Sequence, residues 1–495
     1  MLSMGVREFY AGKTIFITGA TGFMGKVLVY KLLRSCPDLK TIYILVRKKK
    51  GQSPEARLET FINCRIFEKI QTDNPKALNK LRLVSGDILE ESLGLSKMDE
   101  EELLSECQIL FNNAACVRFD LNLREAVKFN TMGTQKLLKL AENMKKLEVF
   151  VHVSTSFCHD ELDVVEDKLY PSKHNPDDII NLTKWMDDKT LALVQAELIK
   201  PYPNTYGYTK CLTEELVSKY EGKFPIVLAR PSIVVPALNE PMPGWVDNLN
   251  GATGIIYAAS RGVLHTMYCK ESTKMDTVPV DITINALILL AYLTGLQKPK
   301  DIRVCNITQY LELNLSWVEA ARYWQKYLND YPLSFALWYP VATAKNYKWE
   351  HKIHEFLEHT LPAYFIDLIL FLLGKKTFMI QVIKRLSNGL EVLEYYNTRT
   401  WVFKNDFLKS LPNQITKEEN EIFSTNILAM EVEQYMKNYL KGIREFCCNE
   451  DDSSLPRARI LHKRLYYLHV VTKLAFYALC VYFLYWIVKK IALIL

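Results

Sequence analysis

The segment that most constrains the fold spans residues 13–26 and reads KTIFITGATGFMGK. Its first part, Thr14–Thr18, is β-branched and aromatic, a pattern typical of a buried parallel strand. Gly19, Gly22 and Gly25 follow, and an apolar helical pattern begins after them. A strand, a tight glycine turn and a helix start aim backbone N–H groups and the positive end of a helix dipole at an anion. The segment predicts a dinucleotide pyrophosphate site in a variant G-x-x-G-x-x-G spacing; an ordinary strand–turn–helix corner is the alternative.

Four further apolar runs predict parallel strands before residue 155. They are Thr41–Val46, Leu81–Gly86, Ile109–Phe111 and Val149–Val153. A polar, helix-like insertion from about residue 52 to residue 80 separates the second run from the third. Because strands alternate with helical patterns, the sequence predicts an α/β fold with a doubly wound parallel sheet of the Rossmann type.

Arg47 directly follows the second predicted strand, at the position that faces the adenosine ribose in a dinucleotide-binding fold. An acidic residue there binds the 2′-hydroxyl of NAD, whereas an arginine accommodates the 2′-phosphate of NADP. The guanidinium fork suits a phosphate, so the sequence favours NADPH. We interpret Lys49 and Lys50, which follow closely, as part of a solvated basic loop.

Polar and small residues at the ends of later strands extend the predicted site, because ligands bind at these ends in open α/β sheets. Asp87 is placed either to accept the adenine amino group or to cap a turn. The small residues around Ala114 would allow a cofactor to approach closely. Asn130 opens the next helical pattern, where a site residue and a helix N-cap are both open interpretations.

Tyr206 and Lys210 are four residues apart at the start of a helical pattern, so they share one helix face. A tyrosine titrates near pH ~10, and a neighbouring ammonium stabilises the phenolate and lowers this pKa. A hydroxyl from Thr155 or Ser154, at the end of the fifth predicted strand, could hold a substrate oxygen. The set therefore predicts acid–base chemistry, whereas an isolated Y-x-x-x-K pattern would indicate only an exposed helix face.

These motifs resemble the extended short-chain dehydrogenase/reductase family. Later segments are similar to the fatty acyl-CoA reductases, which are related to the male-sterility proteins. The similar segments are Phe150–Thr155, Ala229–Val234, Gly251–Gly254, Val278–Asp281, Phe371–Gly374, Glu394–Tyr396 and Trp401–Phe403. The resemblance therefore covers nearly the whole chain.

The resemblance implies reduction of a long-chain fatty acyl-CoA to a primary alcohol through an aldehyde, with two NADPH consumed and CoA released. It implies that the segment 230–233 lines the nicotinamide side, and it favours Thr155 over Ser154 as the hydroxyl. The expected catalytic residues are Thr155, Tyr206, Lys210 and Ser154. The expected cofactor-binding residues are Gly19, Thr21, Gly22, Phe23, Met24, Gly25, Arg47, Asp87, Ile88, Ala114, Asn130, Tyr206, Lys210, Pro231 and Ile233.

Two apolar runs lie in the second half of the chain. Leu361–Gly374 is too short to span a bilayer; a buried or partner-facing helix, an acyl-chain groove and an in-plane membrane contact are the alternatives. Leu474–Val488, flanked by lysines, is shorter than the roughly 17–25 residues of a spanning helix. Snorkelling lysines could extend it, so we predict a C-terminal membrane anchor, with a hairpin or a docking helix as alternatives.

The sequence predicts five consecutive segments. They are a Rossmann domain at 1–285, a substrate-side helical extension at 286–350, a helical C-terminal domain at 351–448, a linker at 449–465 and a membrane anchor at 466–495. Basic residues at 462–464 favour a cytosolic catalytic domain. The endoplasmic reticulum and the peroxisome both fit as the membrane, and a homodimer stays open.

The composition narrows the class of protein. With 49% hydrophobic and 24% charged residues, a chain of 495 residues predicts globular domains and excludes a disordered protein. A net charge of +6 is mild for this length and indicates no nucleic-acid partner. Eleven scattered cysteines without C-x-x-C spacing predict reduced thiols and no metal centre. No secretory pattern is found near Met1, so we expect no cleaved targeting peptide.

Overall fold

The computed structural model describes residues 4–47, 51–428 and 430–492. Lys49 and Lys50, interpreted above as a solvated loop, lie outside these residues. The chain forms two compact units. The first takes Met1–Trp245, Lys274–Leu315 and Arg399–Met430, and the second takes Val246–Thr273, Ser316–Thr398 and Glu431–Leu495. The units are discontinuous along the chain, whereas the five predicted segments are consecutive.

A seven-stranded parallel sheet forms the centre of the first unit. Its strands are β1 (Thr14–Thr18), β2 (Thr41–Val46), β3 (Leu81–Ser85), β4 (Ile109–Asn112), β5 (Val149–Val153), β6 (Ile226–Pro231) and β7 (Arg303–Ile307). Their order is β7-β6-β5-β4-β1-β2-β3, with every neighbouring pair parallel. The order reverses beside β1, which confirms the predicted doubly wound sheet and locates its switch point between β1 and β4.

Helices cover the sheet and form most of the second unit. In the first unit they are Val6–Tyr10, Phe23–Ser35, Pro54–Ile62, Glu68–Asp73, Lys97–Glu106, Leu123–Ala126, Gly133–Glu142, Pro176–Trp185, Asp188–Leu198, Thr205–Ser218, Val280–Gln297, Tyr310–Leu313, Asp406–Ser410 and Lys417–Ile422. In the second unit they are Gly251–Ser260, Trp317–Leu328, Lys348–His354, Leu361–Leu372, Met379–Asn397, Val432–Gly442 and Leu455–Ala492. Short parallel strand pairs join Val164–Val165 to Val402–Phe403, Ile233–Val235 to Thr277–Pro279 and Thr266–Tyr268 to Thr343–Lys345.

The helix Val280–Gln297 is apolar on all sides because it is buried in the first unit. Its length and composition would allow it to cross a membrane, but 89% of it is buried, as in the core helix of a soluble domain. Near its start, the Asp281 carboxylate accepts hydrogen bonds from the backbone N–H groups of Leu238, Asn239 and Glu240 at 2.8–3.0 Å. The helix thereby fixes the loop that follows β6.

A segment from the C-terminal half of the chain returns to the Rossmann unit. Trp401 donates its indole N–H to the Asp160 carbonyl at 2.9 Å, and its ring contacts Phe157 edge-on. Phe403 packs on Phe157 at 5.2 Å between ring centroids. These contacts explain why Arg399–Met430 belongs to the first unit, although helices of the second unit precede and follow it in sequence.

The helix Leu361–Leu372 exposes most of its apolar side chains. Phe365, Phe371 and Leu372 are 62%, 71% and 73% exposed, so the buried-helix interpretation is wrong. Only a narrow stripe, which includes Ala363 and Asp367, is buried. The sequence pattern is apolar on every side of this helix, and periodicity therefore gave no indication of which side would be covered.

The C-terminal helix Leu455–Ala492 is continuous over 38 residues. At 1.5 Å per residue it is about 57 Å long, and it is long and apolar enough to cross a membrane. Its apolar window is unburied. The described part of the chain has no break in this helix, so the hairpin interpretation is wrong up to Ala492.

We predict opposite effects for two glycine-to-alanine substitutions. A Cβ on Gly25 would overlap the Gly19 carbonyl oxygen and lie 2.6 Å from Ala20 Cα, so Gly25→Ala should lower the melting temperature and the affinity for the dinucleotide. A Cβ on Gly389, in the helix Met379–Asn397, meets no atom within 4 Å. Gly389→Ala should therefore stabilise by about 0.5–1 kcal/mol.

Thermal unfolding and cofactor titration of both variants in detergent would check this. A Gly25→Ala protein that melts and binds like the unmodified chain would contradict the close approach at the turn.

Candidate active site

The glycine turn after β1 forms a backbone cradle. Gly19 has φ +69°, and a Cβ there would lie 2.7 Å from the Asn113 carbonyl oxygen and 2.8 Å from the Ala114 nitrogen. Gly22 is the N-cap of the helix Phe23–Ser35 and provides no side chain to cap its first N–H groups. The first N–H groups of this helix can therefore donate to an anion. The turn fits a dinucleotide pyrophosphate.

The other predicted residues of this turn surround the helix start. Thr21 is exposed, and Phe23 and Met24 are half-buried. The Phe23 ring stacks on Trp245 at 5.4 Å, with only 16° between the ring planes. This stacking fixes the first turn of the helix on one side, while the side that carries Thr21 stays open.

Arg47 and Asp87 follow neighbouring strands at the same edge of the sheet. Arg47 is exposed directly after β2, which pairs with β1. The Asp87 carboxylate accepts the Leu89 N–H at 3.0 Å, so it caps the turn after β3. The turn-capping interpretation is thus observed, and adenine recognition by Asp87 stays a prediction. Ile88 packs under Gly133, where an added Cβ would lie 3.2 Å from its Cδ1.

A polar network holds the end of β4 against β1 and β5. The Thr18 hydroxyl donates to the Asn112 Oδ1 at 3.0 Å and accepts the Ala114 N–H at 3.2 Å. Asn112 Nδ2 lies 3.0 Å from His152 Nδ1. Burial lowers the pKa of His152 to about 3, so the ring is neutral and Nδ1 accepts. This network positions Ala114 beside the glycine turn.

Asn130 lies inside a helix rather than at its start. The helical path runs from Leu123 through a π-helical turn at Val127–Met132, so the N-cap interpretation is wrong. The Asn130 Oδ1 accepts the Cys116 N–H at 2.9 Å, and its Nδ2 donates to the Thr209 hydroxyl at 3.0 Å. Asn130 therefore links the loop after β4 to the helix that carries Tyr206 and Lys210.

Thr155 and Tyr206 are brought together at the end of β5. The Thr155 side chain lies beside the Tyr206 phenol, where it acts to lower the pKa of Tyr206, and its Oγ1 accepts the Phe157 N–H at 3.3 Å. The Ser154 hydroxyl is buried and makes no hydrogen bond. The Tyr206 ring packs on Phe119 at 5.4 Å. Of the two candidate hydroxyls, the one in contact with the tyrosine is thus Thr155.

Lys210 is buried one turn further along the same helix. Its ammonium donates to the Val153 carbonyl at 2.8 Å, at the last residue of β5. Burial lowers the pKa of Lys210 to about 8, while the Glu214 carboxylate opposes this shift. The pKa of Tyr206 is raised by burial, although the neighbouring Thr155 side chain opposes the rise. The expected lowering of the Tyr206 pKa is therefore wrong for this geometry, because desolvation dominates.

A buried ion pair that was not among the predicted site features supports this helix. Arg230 donates from Nε to Glu214 Oε1 at 2.9 Å and from Nη2 to Oε2 at 2.5 Å. Both side chains are fully buried. Glu214 follows Lys210 by four residues, so a Tyr–Lys–Glu stripe at positions 206, 210 and 214 was a usable signal. Arg230, which the resemblance placed on the nicotinamide side, points into the core instead.

The same cluster contains possible metal ligands. Cys158, His159 and Glu214 offer three ligand atoms within 4.8 Å of one another, the one such group among the described residues. The carboxylate of Glu214 is already held bidentately by Arg230. Because a metal ion would have to displace this guanidinium, the cluster is better described as a hydrogen-bonded core. All eleven cysteines are free thiols.

Pro231 and Ile233 flank the end of β6. Pro231 is the buried last residue of this strand, and Ile233 is half-buried at the start of the short strand Ile233–Val235. Ser232 between them has a buried hydroxyl without a hydrogen-bond partner. The structure thus gathers the glycine turn, Ala114, Thr155 and Pro231 at the carboxyl edge of one sheet, where α/β folds bind ligands.

Two family profiles match the sequence. Both are described as male sterility protein, and they cover residues 17–287 and 358–450. Fatty acyl-CoA reductase 1 of Rattus norvegicus is 37% identical over 456 residues, which span 92% of this chain and 88% of the relative. Fatty acyl-CoA reductase 2 of Mus musculus is 34% identical over 472 residues, which span 95% of this chain and 92% of the relative.

Among solved structures, the reductase domain of a nonribosomal peptide synthetase from Mycobacterium tuberculosis is similar in fold. Its TM-score is 0.60 at 17% identity, covering 87% of this chain and 91% of that chain. The terminal R domain of the myxalamid pathway gives a TM-score of 0.57 at 18% identity, covering 88% of this chain and 91% of that chain. These likenesses establish the fold. The sequence matches establish more: the chain belongs to the fatty acyl-CoA reductase family of alcohol-forming oxidoreductases, and its amino-terminal domain binds a nicotinamide cofactor.

Proposed function

We propose that this protein reduces long-chain fatty acyl-CoA to a primary alcohol in two steps with NADPH, through a bound aldehyde. The observation that carries the proposal is the contact between Thr155 and Tyr206 at the end of β5, beside a buried Lys210. In the balanced reaction, one acyl-CoA, two NADPH and two protons give the alcohol, CoA and two NADP⁺.

The cofactor would lie along the carboxyl edge of the sheet. The turn at Gly19, Gly22 and Gly25 would bind the pyrophosphate, and Arg47 would pair with the 2′-phosphate. Asp87 and Ile88 would border the adenine, while Ala114, Asn130, Pro231 and Ile233 would border the remainder, with Thr21, Phe23 and Met24 at the helix start. When bound, the nicotinamide supplies the hydride.

Tyr206 serves as the proton donor in both steps. Its raised pKa keeps the phenol protonated at neutral pH, which suits donation to an oxygen that gains negative charge. Thr155 would hold the same oxygen by a second hydrogen bond. In the first step the carbonyl oxygen would take the proton from Tyr206 as a hydride reaches the carbon. When the carbon–sulfur bond then breaks, this proton passes to the departing thiolate and CoA leaves as the thiol. In the second step the aldehyde oxygen takes the proton from Tyr206 and becomes the alcohol.

Lys210 would act through position and charge. Its ammonium is bonded to the last carbonyl of β5, so it stays next to the Thr155–Tyr206 pair. A positive charge here favours the developing oxyanion and the transient phenolate. Asn130 is a positioning residue, because it joins the loop after β4 to this helix.

We further propose that the helix Leu455–Ala492 anchors the protein in a membrane with the catalytic unit in the cytosol. Its exposed apolar side chains support this, as do Lys489 and Lys490, which would snorkel to the far interface. The endoplasmic reticulum and the peroxisome both fit as the membrane, and fatty thioesters partition to such surfaces.

The proposed reaction predicts a defined stoichiometry. Full-length protein in vesicles, given NADPH and a chain-length series of acyl-CoA, should release one CoA and one fatty alcohol for every two NADPH oxidised. Tyr206→Phe should lower turnover by about 10²–10⁴-fold and should still bind NADPH. Mass spectrometry would identify the product, and titration of free thiols would measure the CoA released. No CoA release at any chain length would refute the proposal, and aldehyde as the end product would remove the second step.

Thr155 and Ser154 should differ in their effect. Thr155→Val removes the hydroxyl that contacts Tyr206 and should lower kcat/KM by about 10²–10³-fold. Ser154→Ala removes a hydroxyl without a partner and should have a much smaller effect. Steady-state kinetics of the two variants would check this, and a larger loss for Ser154→Ala would transfer the catalytic role to Ser154.

Arg47 should determine the preference for the phosphorylated cofactor. Hydrogen bonds to a charged group contribute about 1.5–3 kcal/mol, so Arg47→Ala should weaken NADPH by about 10–100-fold and leave NADH nearly unchanged. Arg82→Ala is the matched control. Arg82 is also an exposed arginine, but it lies near the start of β3, whereas Arg47 follows the carboxyl end of the neighbouring strand β2. Fluorescence titration would measure both cofactors. An equal loss for NADPH and NADH would exclude the 2′-phosphate role.

A further inference from the structure

The helix Leu361–Leu372 carries a large exposed apolar surface outside the active site. Tyr364, Phe365, Leu368, Phe371 and Leu372 are each more than half exposed. Soluble proteins rarely expose contiguous apolar patches of this kind unless the patch meets another molecule or a membrane. The catalytic mechanism leaves this surface unexplained.

The opposite side of the helix is held firmly in the second unit. Ala363 is buried in a core cluster with Met379 and Ile383, and Val263 packs against the same cluster. The exposed side is therefore a fixed surface of the folded unit. It is also too short to span a bilayer, because twelve residues extend about 18 Å against a hydrocarbon core of about 30 Å.

The single charged residue of this helix is turned inward. Asp367 is buried, and its carboxylate accepts the N–H groups of Phe378, Met379 and Ile380, each at 3.0 Å. These three residues include the start of the helix Met379–Asn397, so the negative charge caps a helix instead of facing outward. The exposed side consequently presents apolar atoms without a carboxylate.

Basic residues border the surface. Lys375 and Lys376 directly follow the apolar run and are exposed. An apolar helix side bordered by lysines matches a lipid surface, where the side chains enter the acyl region and the ammonium groups meet anionic headgroups. A specific protein interface would instead carry polar groups that fix the orientation of a partner, and this helix side offers none beyond the Tyr364 hydroxyl.

The start of this helix lies near the base of the C-terminal helix. Trp338 donates its indole N–H to His469 of that helix at 3.1 Å, and Tyr339 packs on His462 at 4.9 Å. His469 is also within electrostatic reach of Glu358. Glu358 lies in the π-helical turn Glu355–Thr360, which leads directly into Leu361–Leu372. The apolar helix therefore begins close to the point at which the C-terminal helix leaves the second unit.

From these observations we infer that the helix Leu361–Leu372 lies in the plane of the membrane, with its exposed side in the interfacial layer of the bilayer that holds the C-terminal helix. The inference rests on the proposed anchoring. It adds a second, in-plane contact, which would fix the orientation of the second unit on the membrane, whereas a single helical anchor would leave that unit free to rotate.

Lipid photo-crosslinking tests this on the unmodified chain. Full-length protein would be reconstituted into vesicles of phosphatidylcholine and phosphatidylserine that contain a phospholipid with a diazirine in its acyl chain. After irradiation, peptide mass spectrometry should find lipid adducts on Leu361–Gly374 as well as on Leu474–Val488.

The outcomes separate the two proposals. Adducts on Leu474–Val488 alone would overturn the in-plane contact and keep the anchor, and adducts on neither segment would overturn both. Crosslinks between two copies of Leu361–Gly374, without lipid adducts there, would assign the surface to a second copy of the chain and would also overturn the inference.

Matched variants sharpen the test. Phe365→Ser combined with Leu372→Ser should reduce adducts on the helix by about tenfold and leave the C-terminal adducts unchanged. Leu193→Ser is the control, because Leu193 is an exposed leucine of the first unit. Lys375→Ser with Lys376→Ser should reduce helix adducts in anionic vesicles and have little effect in neutral ones. Equal helix labelling in all variants would contradict the proposed contact.

Discussion

The geometry of the proposed catalytic residues depends on the buried ion pair between Glu214 and Arg230. This pair joins the helix Thr205–Ser218 to β6 through two parallel hydrogen bonds in a site without solvent exposure. Tyr206 and Lys210 precede Glu214 on the same helix, so their distance from β5 is set by this attachment. Breaking one side of such a pair leaves an uncompensated buried charge, which costs about 3–5 kcal/mol. Arginine is suited to this role because its planar fork matches a carboxylate and keeps its charge when buried.

The second requirement is close backbone approach at the carboxyl edge of the sheet. Gly19 brings the end of β1 within contact of the loop after β4, and Gly25 brings the following helix against Gly19 and Ala20. Thr18, Asn112 and a neutral His152 hold that loop in place. One edge of one sheet can therefore combine an anion-binding helix start with the proposed proton donor, which is the arrangement that a dinucleotide-dependent reductase needs. The exposed apolar side chains and the lysines of the second unit serve a different purpose, which we propose is attachment to a membrane.

Much of the fold was accessible from the sequence, and the reasons are local. The first five strands carry short runs rich in apolar residues, and the structure has them within one residue of the predicted bounds. The helix Trp317–Leu328 lies within the helical extension that the sequence predicts at 286–350. Asn130 was misplaced because a polar residue before an apolar pattern looks like an N-cap, whereas a π-helical turn continues the helix through it. The Tyr206 pKa was also misjudged, since the spacing of Tyr206 and Lys210 shows a neighbouring charge but does not show burial.

The sequence by itself determined the parallel α/β class, the glycine turn, the Tyr206–Lys210 pair and the apolar C-terminal helix, because each is a pattern of neighbours along the chain. The tertiary structure decided which hydroxyl meets Tyr206, since Ser154 and Thr155 are adjacent in sequence and the direction of each side chain depends on how β5 packs. It also decided that Glu214 pairs with Arg230, that Arg399–Met430 returns to the Rossmann unit, and that the helix Leu361–Leu372 stays exposed. These features arise from contacts between distant residues, and an apolar or charged side chain carries no local signal of its partner.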